Sequence, residues 1–265
     1  MSKGVSGFTF HRDREGFKVR YEMPSPLLGA IDVRLIARGP LLDGTGGIPE
    51  RIAERLGLDA VGGMVAPWQV HGRAIVEGRR IWALPQRVLA DGVHIDAAFD
   101  PGFCVTASLR FADCAPVLLA GASPKPWAII VHSGFRGTLA RILEAALDRA
   151  VAFYGRSVLR DTFVWIGPSV GFCCYTRRLS DPSAIRAMEE WGPTASRVQG
   201  DQVHLDIAGV LREQALGRGI PPSHVFSSCR CTSCERERFY SYRQGDGEDR
   251  MVLLAKRMPQ NGENV

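Results

Sequence analysis

Residues 127–155 read WAIIVHSGFRGTLARILEAALDRAVAFYG, and two hydrophobic patterns meet within them. The apolar run 127–131 predicts a strand. From Thr138 to Phe153, the residues Leu139, Ile142, Leu143, Ala146, Leu147, Ala150 and Val151 fall on one face of a helix. Arg141, Glu144, Asp148 and Arg149 take the other face, and Gly155 ends the helix. A strand therefore feeds a glycine-containing loop, His132 to Gly137, and then a helix N-terminus.

The same two periods extend outward from this stretch. Ile31, Val33 and Leu35 alternate with Asp32 and Arg34, as in a half-buried strand. Ile48, Ile52 and Leu56 recur every fourth residue and stop at Gly57, which predicts a short helix. Strands are expected over 64–70, 74–82 with a break at Gly78, 93–99, 103–109, 116–120, 162–166, 224–227, 239–242 and 250–256. Asp181 as cap and Pro182 in the first turn open one helix, and another runs over 206–216 to Gly217. Strands and helices mix without a strict βαβ alternation, so the expected class is α+β, with mixed sheets packed by helices. No fixed-period repeat or low-complexity linker divides the chain. A single domain over 31–258 is expected, after an N-terminal extension (1–30) and before a short C-terminal tail (259–265).

The 265 residues are 45% hydrophobic and 23% charged, which excludes disorder, collagen and coiled coil. Asp113 and Lys125 interrupt the richest apolar stretch, so no membrane span is expected. The opening MSKGVSGFTFHRDREGF has no apolar signal core, and the expected compartment is the cytoplasm. Net charge is +5, carried by arginines scattered along the chain, a pattern that argues against a nucleic-acid stripe. Seven cysteines in a reducing compartment stay thiols, to be read as core residues, metal ligands or nucleophiles.

Three segments place a potential ligand just beyond an apolar strand: Trp68-Gln69-Val70-His71-Gly72, Ala112-Asp113-Cys114-Ala115-Pro116 and Val131-His132-Ser133-Gly134-Phe135-Arg136-Gly137. Two imidazoles and one thiolate match a catalytic zinc, which uses three protein ligands and keeps a fourth position open. Spacing alone does not recognise so dispersed a set, and a buried thiol with two core histidines fits the same residues. The loop before the helix at Thr138 also reads as an anion seat, with free backbone N–H groups, the helix dipole and a guanidinium at Arg136. Its bland counterpart is an ordinary helix entry with a solvent-facing arginine. A rival metal site reads H-x4-C-x-C-x2-C at His224, Cys229, Cys231 and Cys234, without a second half-site. Adjacent Cys173 and Cys174 are expected to serve packing. His11, His94 and His204 have no ligand-like neighbours in sequence, and His94 is expected to face outward.

Taken in order, the segments resemble the YfiH-type family, whose proteins also carry the names laccase-domain and polyphenol oxidase. Its signatures appear as Gln69-Val70-His71-Gly72, Ala90-Asp91-Gly92, Phe111-Ala112-Asp113-Cys114-Ala115-Pro116-Val117-Leu118 and His132-Ser133-Gly134-Phe135-Arg136-Gly137. Ile166-Gly167-Pro168-Ser169-Val170-Gly171 with Tyr175, then Cys231-Thr232, Phe239-Tyr240-Ser241-Tyr242-Arg243 and Arg250-Met251, complete the set. The chain departs from the family at Phe111, at Ser133-Gly134-Phe135 and at Thr176, and it reduces an N-terminal R-x-G-G-V-S segment to Gly46-Gly47-Ile48.

The resemblance implies a YfiH-like fold, similar to the deamidase domain of cytotoxic necrotizing toxins. It implies one zinc on His71, Cys114 and His132, with Cys114 and His132 catalytic and with Gln69 and Arg243 at the substrate; the loop at Arg136 is expected to bind the attacking phosphate, and Asp113 is a candidate catalytic acid or base by adjacency alone. The activity implied is phosphorolysis of adenosine or inosine to the base and ribose 1-phosphate, accompanied by adenosine deamination and methylthioadenosine phosphorolysis. Three alternatives stand beside it. Cys114 and His132 would suffice for a metal-free thiol hydrolase or amidase. Copper in the same ligands would give a laccase-like polyphenol oxidase, although six histidines are too few for a full multicopper set. The third is a non-catalytic or cell-wall-editing role.

Overall fold

The computed structural model describes residues 7–58, 64–78, 88–96 and 106–258. The first half holds β1 (Phe8–Asp13), β2 (Gly16–Tyr21), β3 (Ile31–Ile36), α1 (Pro49–Arg55), β4 (Met64–Val65), β5 (Ile75–Glu77), β6 (Gly92–Asp96), β7 (Thr106–Phe111) and β8 (Ala115–Gly121). Then come β9 (Trp127–Ser133), α2 (Phe135–Leu139), α3 (Ile142–Tyr154), α4 (Val158–Asp161), β10 (Phe163–Ile166), β11 (Thr176–Arg178) and α5 (Pro182–Trp191). The chain closes with β12 (Ser196–Gln199), β13 (Gln202–Leu205), α6 (Ile207–Gly217), β14 (Val225–Ser227) and β15 (Met251–Arg257). The parts of expected strands at 79–82, 97–99 and 103–105, and the tail at 259–265, lie outside the described residues.

Two six-stranded sheets carry the fold, in the orders β1-β2-β3-β15-β7-β4 and β14-β10-β8-β9-β6-β5, and β11-β13-β12 form a small third sheet. Both large sheets mix directions: β4 is parallel to β7, β5 to β6 and β10 to β14, while their other pairs are antiparallel. Every residue of β8 and β9 is buried. Their alternation divides the interior in two: Leu118, Ala120, Ala128 and Ile130 face the first sheet. Val117, Leu119, Ile129 and Val131 face the helices α2, α3, α4 and α6. Each such branched side chain contributes about 1.5–3 kcal/mol by leaving water, which makes this central sheet the anchor of the domain. The class is the expected α+β.

Local chemistry explains where elements end. Asp181 caps α5 by accepting from the Ser183 N–H at 2.8 Å, and Asp206 caps α6 through the Gly209 N–H at 2.9 Å. The long helix expected from Thr138 breaks instead into α2 and α3, because Arg141 takes a left-handed conformation at φ +62°. The strand expected over 64–70 pairs with β7 only at Met64–Val65, and further on Trp68 forms an isolated parallel bridge to Leu89. Pro67 cannot donate to a ladder, and beyond it the Gln69 side chain takes over, its Nε2 donating to Arg110 O at 2.7 Å and its Oε1 accepting from Arg110 N at 2.8 Å. No strand forms over 239–242. Phe239 and Tyr240 are buried there, but their neighbours spend backbone N–H groups on carboxylates, Ser241 on Asp246 and Arg243 on Asp113. The hairpin β1–β2, unread in the sequence, adds two strands to the first sheet through Phe8, Phe17, Val19 and Tyr21. Among the described residues no helix is long and apolar enough to cross a membrane.

Candidate metal centre and its cleft

At one end of the gap between the two large sheets the three dispersed segments meet. His132 follows Ala128 and Ile130 in the alternation of β9, so its ring turns toward the first sheet and lies 5.4 Å from the Phe111 ring of β7. Cys114 sits in the turn that joins β7 to β8, and His71 on the loop between β4 and β5. One potential ligand atom from each of His71, Cys114 and His132 lies within 4.8 Å of the other two. The two imidazole rings stand 4.9 Å apart at 72°. His71 and Asp113 both adopt left-handed backbone, at φ +60° and +79°, a conformation that costs a non-glycine residue energy and persists only where surrounding contacts enforce it.

Asp91, buried at the start of β6, supplies much of that enforcement. Its carboxylate accepts from the backbone N–H groups of Val70, His71 and Gly72 at 3.2, 3.0 and 2.7 Å, and from His132 Nδ1 at 2.8 Å. One carboxylate thus pins the His71 loop and orients the His132 ring, leaving the Nε2 lone pair for a ligand. Burial pushes Asp91 up, but the His132 ring and the loop N–H groups outweigh it and leave the carboxyl below its ordinary range. Burial likewise holds His132 below its ordinary range, against the pull of Asp91, so the imidazole is neutral. Cys114 goes the other way: burial, then the charges of Asp113 and Asp91, push its thiol up to about 12. Without a cation it is a protonated thiol.

The residues fit a tetrahedral borderline metal. The donor set is imidazole, imidazole and thiol, the tautomer of one imidazole is dictated from behind, and the space before them is kept clear by Gly134. A Cβ there would lie 2.5 Å from Cys114 Sγ and 3.1 Å from His71 Cδ2. The other histidines are elsewhere. His11 is on β1, His204 Nδ1 lies 3.0 Å from Phe172 O, and His224 stacks 4.0 Å from the Phe163 ring. His94, expected to face outward, is fully buried, with Nε2 2.7 Å from Tyr154 Oη. The period-two reading misplaced it because β6 is covered on both faces.

The centre opens into a cleft of about 870 Å³. Six arginines, Arg51, Arg110, Arg136, Arg177, Arg243 and Arg250, line it, against two acidic residues, Asp113 and Glu248. Asp113 is engaged at both oxygens: Oδ1 accepts from Thr232 Oγ1 at 2.7 Å and Oδ2 from Arg243 N at 2.9 Å, so it ties the C-terminal loop to the turn that carries Cys114. Gln69 is committed to the backbone of Arg110. The Arg243 guanidinium lies 4.5 Å from the Tyr175 ring centre and donates to Thr176 O at 3.1 Å. Arg136 is exposed at the first turn of α2 and forms no ion pair among the described residues. Because α2 has only five residues, the dipole expected behind Arg136 is that of a single turn, and the positive character of the cleft comes from side chains. Gly46, Gly47 and Ile48, the reduced N-terminal motif, stand in the cleft wall. Trp68, Phe135 and Tyr242 supply aromatic surface.

Sequence reasoning placed Asp91 in a motif without giving it a task. Its signal, an acidic residue between alanine and glycine at the head of a buried strand, becomes informative only once its distant partners are known.

Comparison with known proteins identifies relatives of this chain. The purine nucleoside phosphorylase YlmD of Geobacillus stearothermophilus is 33% identical over 171 residues, which cover 62% of this chain and 58% of that protein. The purine nucleoside phosphorylase YfiH of Shigella flexneri is 27% identical over 184 residues, covering 69% and 70%. The match thus spans less than two thirds of the YlmD protein's length. The crystal structure of YlmD superposes with a TM-score of 0.74 at 27% identity, covering 95% of this chain and 99% of that one. A family profile described as multi-copper polyphenol oxidoreductase laccase matches residues 49–255, a stretch that contains the whole His71, Cys114 and His132 centre, and the chain belongs to that family, the YfiH type.

Proposed function

We propose that the protein is a zinc-dependent purine nucleoside phosphorylase. The observation that carries this reading is the juxtaposition of a His-Cys-His donor set with an arginine-lined cleft large enough for a nucleoside and a phosphate. The names of YlmD and YfiH supply the reaction class.

When bound to His71, Cys114 and His132, zinc supplies a Lewis acid that polarises a substrate oxygen. The chain's own residues do the rest. Asp91 keeps His132 in the tautomer with its proton on Nδ1. Arg136 binds phosphate with its unpaired guanidinium, and the neighbouring arginines raise the local concentration of the anion. Trp68 and Tyr242, both exposed at the cleft, offer faces on which a purine stacks. In the reaction a phosphate oxygen forms a bond to ribose C1′ as the C1′–N9 bond breaks. The bonding pair leaves with the purine, which takes up a proton. Asp113 acts here by positioning, holding Arg243 and the Cys114 turn. Adenosine deamination and methylthioadenosine phosphorolysis are companion activities of the same site.

Two alternatives receive less support. A thiol hydrolase needs a nucleophile with a depressed pKa, whereas burial pushes Cys114 up to about 12. A multicopper oxidase needs a histidine-rich trinuclear cluster beside its blue-copper site, and the remaining four histidines are dispersed through the fold, away from this centre.

The test is metal analysis of protein purified without added metal, with a screen of adenosine, inosine, guanosine and methylthioadenosine in the presence and absence of phosphate. Phosphate-dependent release of base is expected, and Cys114→Ala should abolish both that activity and the zinc of this centre. Zinc retained at the centre in that variant would contradict the ligand assignment.

A further inference from the structure

A second group of metal-ligating side chains lies apart from the centre. Cys173 and Cys174 occupy the turn after Gly171, and Cys231 and Cys234 occupy a C-x2-C turn some sixty residues later. The four Sγ atoms all lie within 4.8 Å of one another. Cys234 Sγ is 3.6 Å from Cys173 Sγ and 3.4 Å from Cys174 Sγ, and all four are free thiols. These separations match a mononuclear tetrahedral site: four thiolates at a Zn–S distance of about 2.3 Å stand about 3.8 Å apart.

The surroundings are built for such an ion. The Gly171 N–H donates to Cys231 Sγ at 3.2 Å, the kind of outer hydrogen bond that stabilises a metal-bound thiolate. A Cβ on Gly171 would lie 3.1 Å from Cys231 Cβ and 3.3 Å from Cys173 Sγ, so glycine allows the two turns to approach. Adjacent cysteines reach one point because the Gly171 turn is helical in character, with Cys174 N and Tyr175 N both donating to Gly171 O at 2.9 Å. Successive side chains then diverge by about 100° rather than the 180° of a strand. The sequence-level candidates His224 and Cys229 are not in the group, and Cys173 is exposed rather than packed.

We propose that Cys173, Cys174, Cys231 and Cys234 bind a structural zinc ion that clamps the Gly171–Tyr175 turn to the C-terminal loop. The clamp acts on the cleft wall. Ser169 N donates to Arg230 O and Thr232 N to Ser169 O, and Thr232 in turn binds Asp113, next to Cys114. Tyr175, directly after Cys174, lines the cleft. The site is closed by four protein ligands, so its role is architectural. It stands independently of the phosphorylase reading.

The experiment uses the full chain in a His71→Ala/His132→Ala background, in which the first centre is disabled. Expected is about one zinc per chain that survives desalting, is lost on adding Cys173→Ser and Cys234→Ser, and is replaced by cobalt with the charge-transfer and intense d–d absorption of a tetrahedral tetrathiolate. Zinc-free background protein with four reactive thiols would overturn the proposal, as would a disulfide among these cysteines in anaerobically prepared protein. If the serine variants fail to fold, the cobalt spectrum of the background protein decides by itself: tetrathiolate bands support the site, and their absence refutes it.

Discussion

His132 Nδ1 lies 2.8 Å from Asp91 Oδ1, and the same carboxylate gathers three successive backbone N–H groups of the His71 loop. Two of the three proposed ligands therefore depend on one buried acid forty-one positions away from His132 in the chain. Asp91→Asn keeps the shape but replaces one acceptor oxygen with a donor. It should weaken zinc affinity about 10–100-fold, as loss of such supporting partners does. Competition with a chromogenic chelator measures this, and wild-type affinity in the folded variant would remove Asp91 from the centre.

Gly134→Ala should be more damaging than its one added methyl suggests. The new Cβ would meet Cys114 Sγ at 2.5 Å, and backbone on both sides limits how far it can move away. Stability should fall by about 1–3 kcal/mol, the usual cost of overpacking. Zinc at the centre should fall with it. Gly137→Ala, whose nearest atom is Gly72 O at 3.3 Å, is the milder comparison. Chemical denaturation and metal analysis of the two variants should rank them in that order.

Arg136→Ala separates anion binding from metal binding. Its guanidinium has no ion-pair partner among the described residues, so its removal leaves no charge stranded. The KM for phosphate should rise roughly 10–100-fold, the worth of one charge-assisted hydrogen bond, while zinc content and melting temperature stay unchanged. An unaltered phosphate KM would place the anion elsewhere in the cleft.

His94 makes stability pH-dependent away from the centre. Tyr154 Oη donates to Asp96 Oδ2 at 2.5 Å, so at the 2.7 Å contact His94 Nε2 must be the donor, and Nδ1 accepts from Arg149 Nε at 3.4 Å. Burial and the Arg149 charge lower its pKa to about 4. The unfolded chain takes up a proton near pH 6.5 and the folded one only near 4, so stability is lost as pH falls through that window, by about 3 kcal/mol at most. Urea titrations at pH 7.5 and pH 5 should show a smaller loss for His94→Gln than for the wild type. Equal losses would mean that this imidazole does not carry the effect.

Much of the architecture was legible in local pattern. The alternation at Ile31, Val33 and Leu35 gives β3, the Asp181-Pro182 start gives α5, and the apolar runs around Pro116 and Ile129 give the two central strands. These are properties of neighbours in the chain, set by side-chain period and capping chemistry. The three-segment resemblance likewise brought His71, Cys114 and His132 forward before any geometry was known.

What the tertiary structure alone decided is whatever depends on distant residues coming together. The buried network around His94, the bracing of two ligand loops by Asp91 and the meeting of Cys173 and Cys174 with Cys231 and Cys234 all fall in this class. A hydrogen bond or a ligand set reports a separation in space, and sequence distance does not encode that separation until the two sheets have packed. The histidine and the paired cysteines were misread for that reason: their residue types were visible, but the face of the protein that would cover them was not.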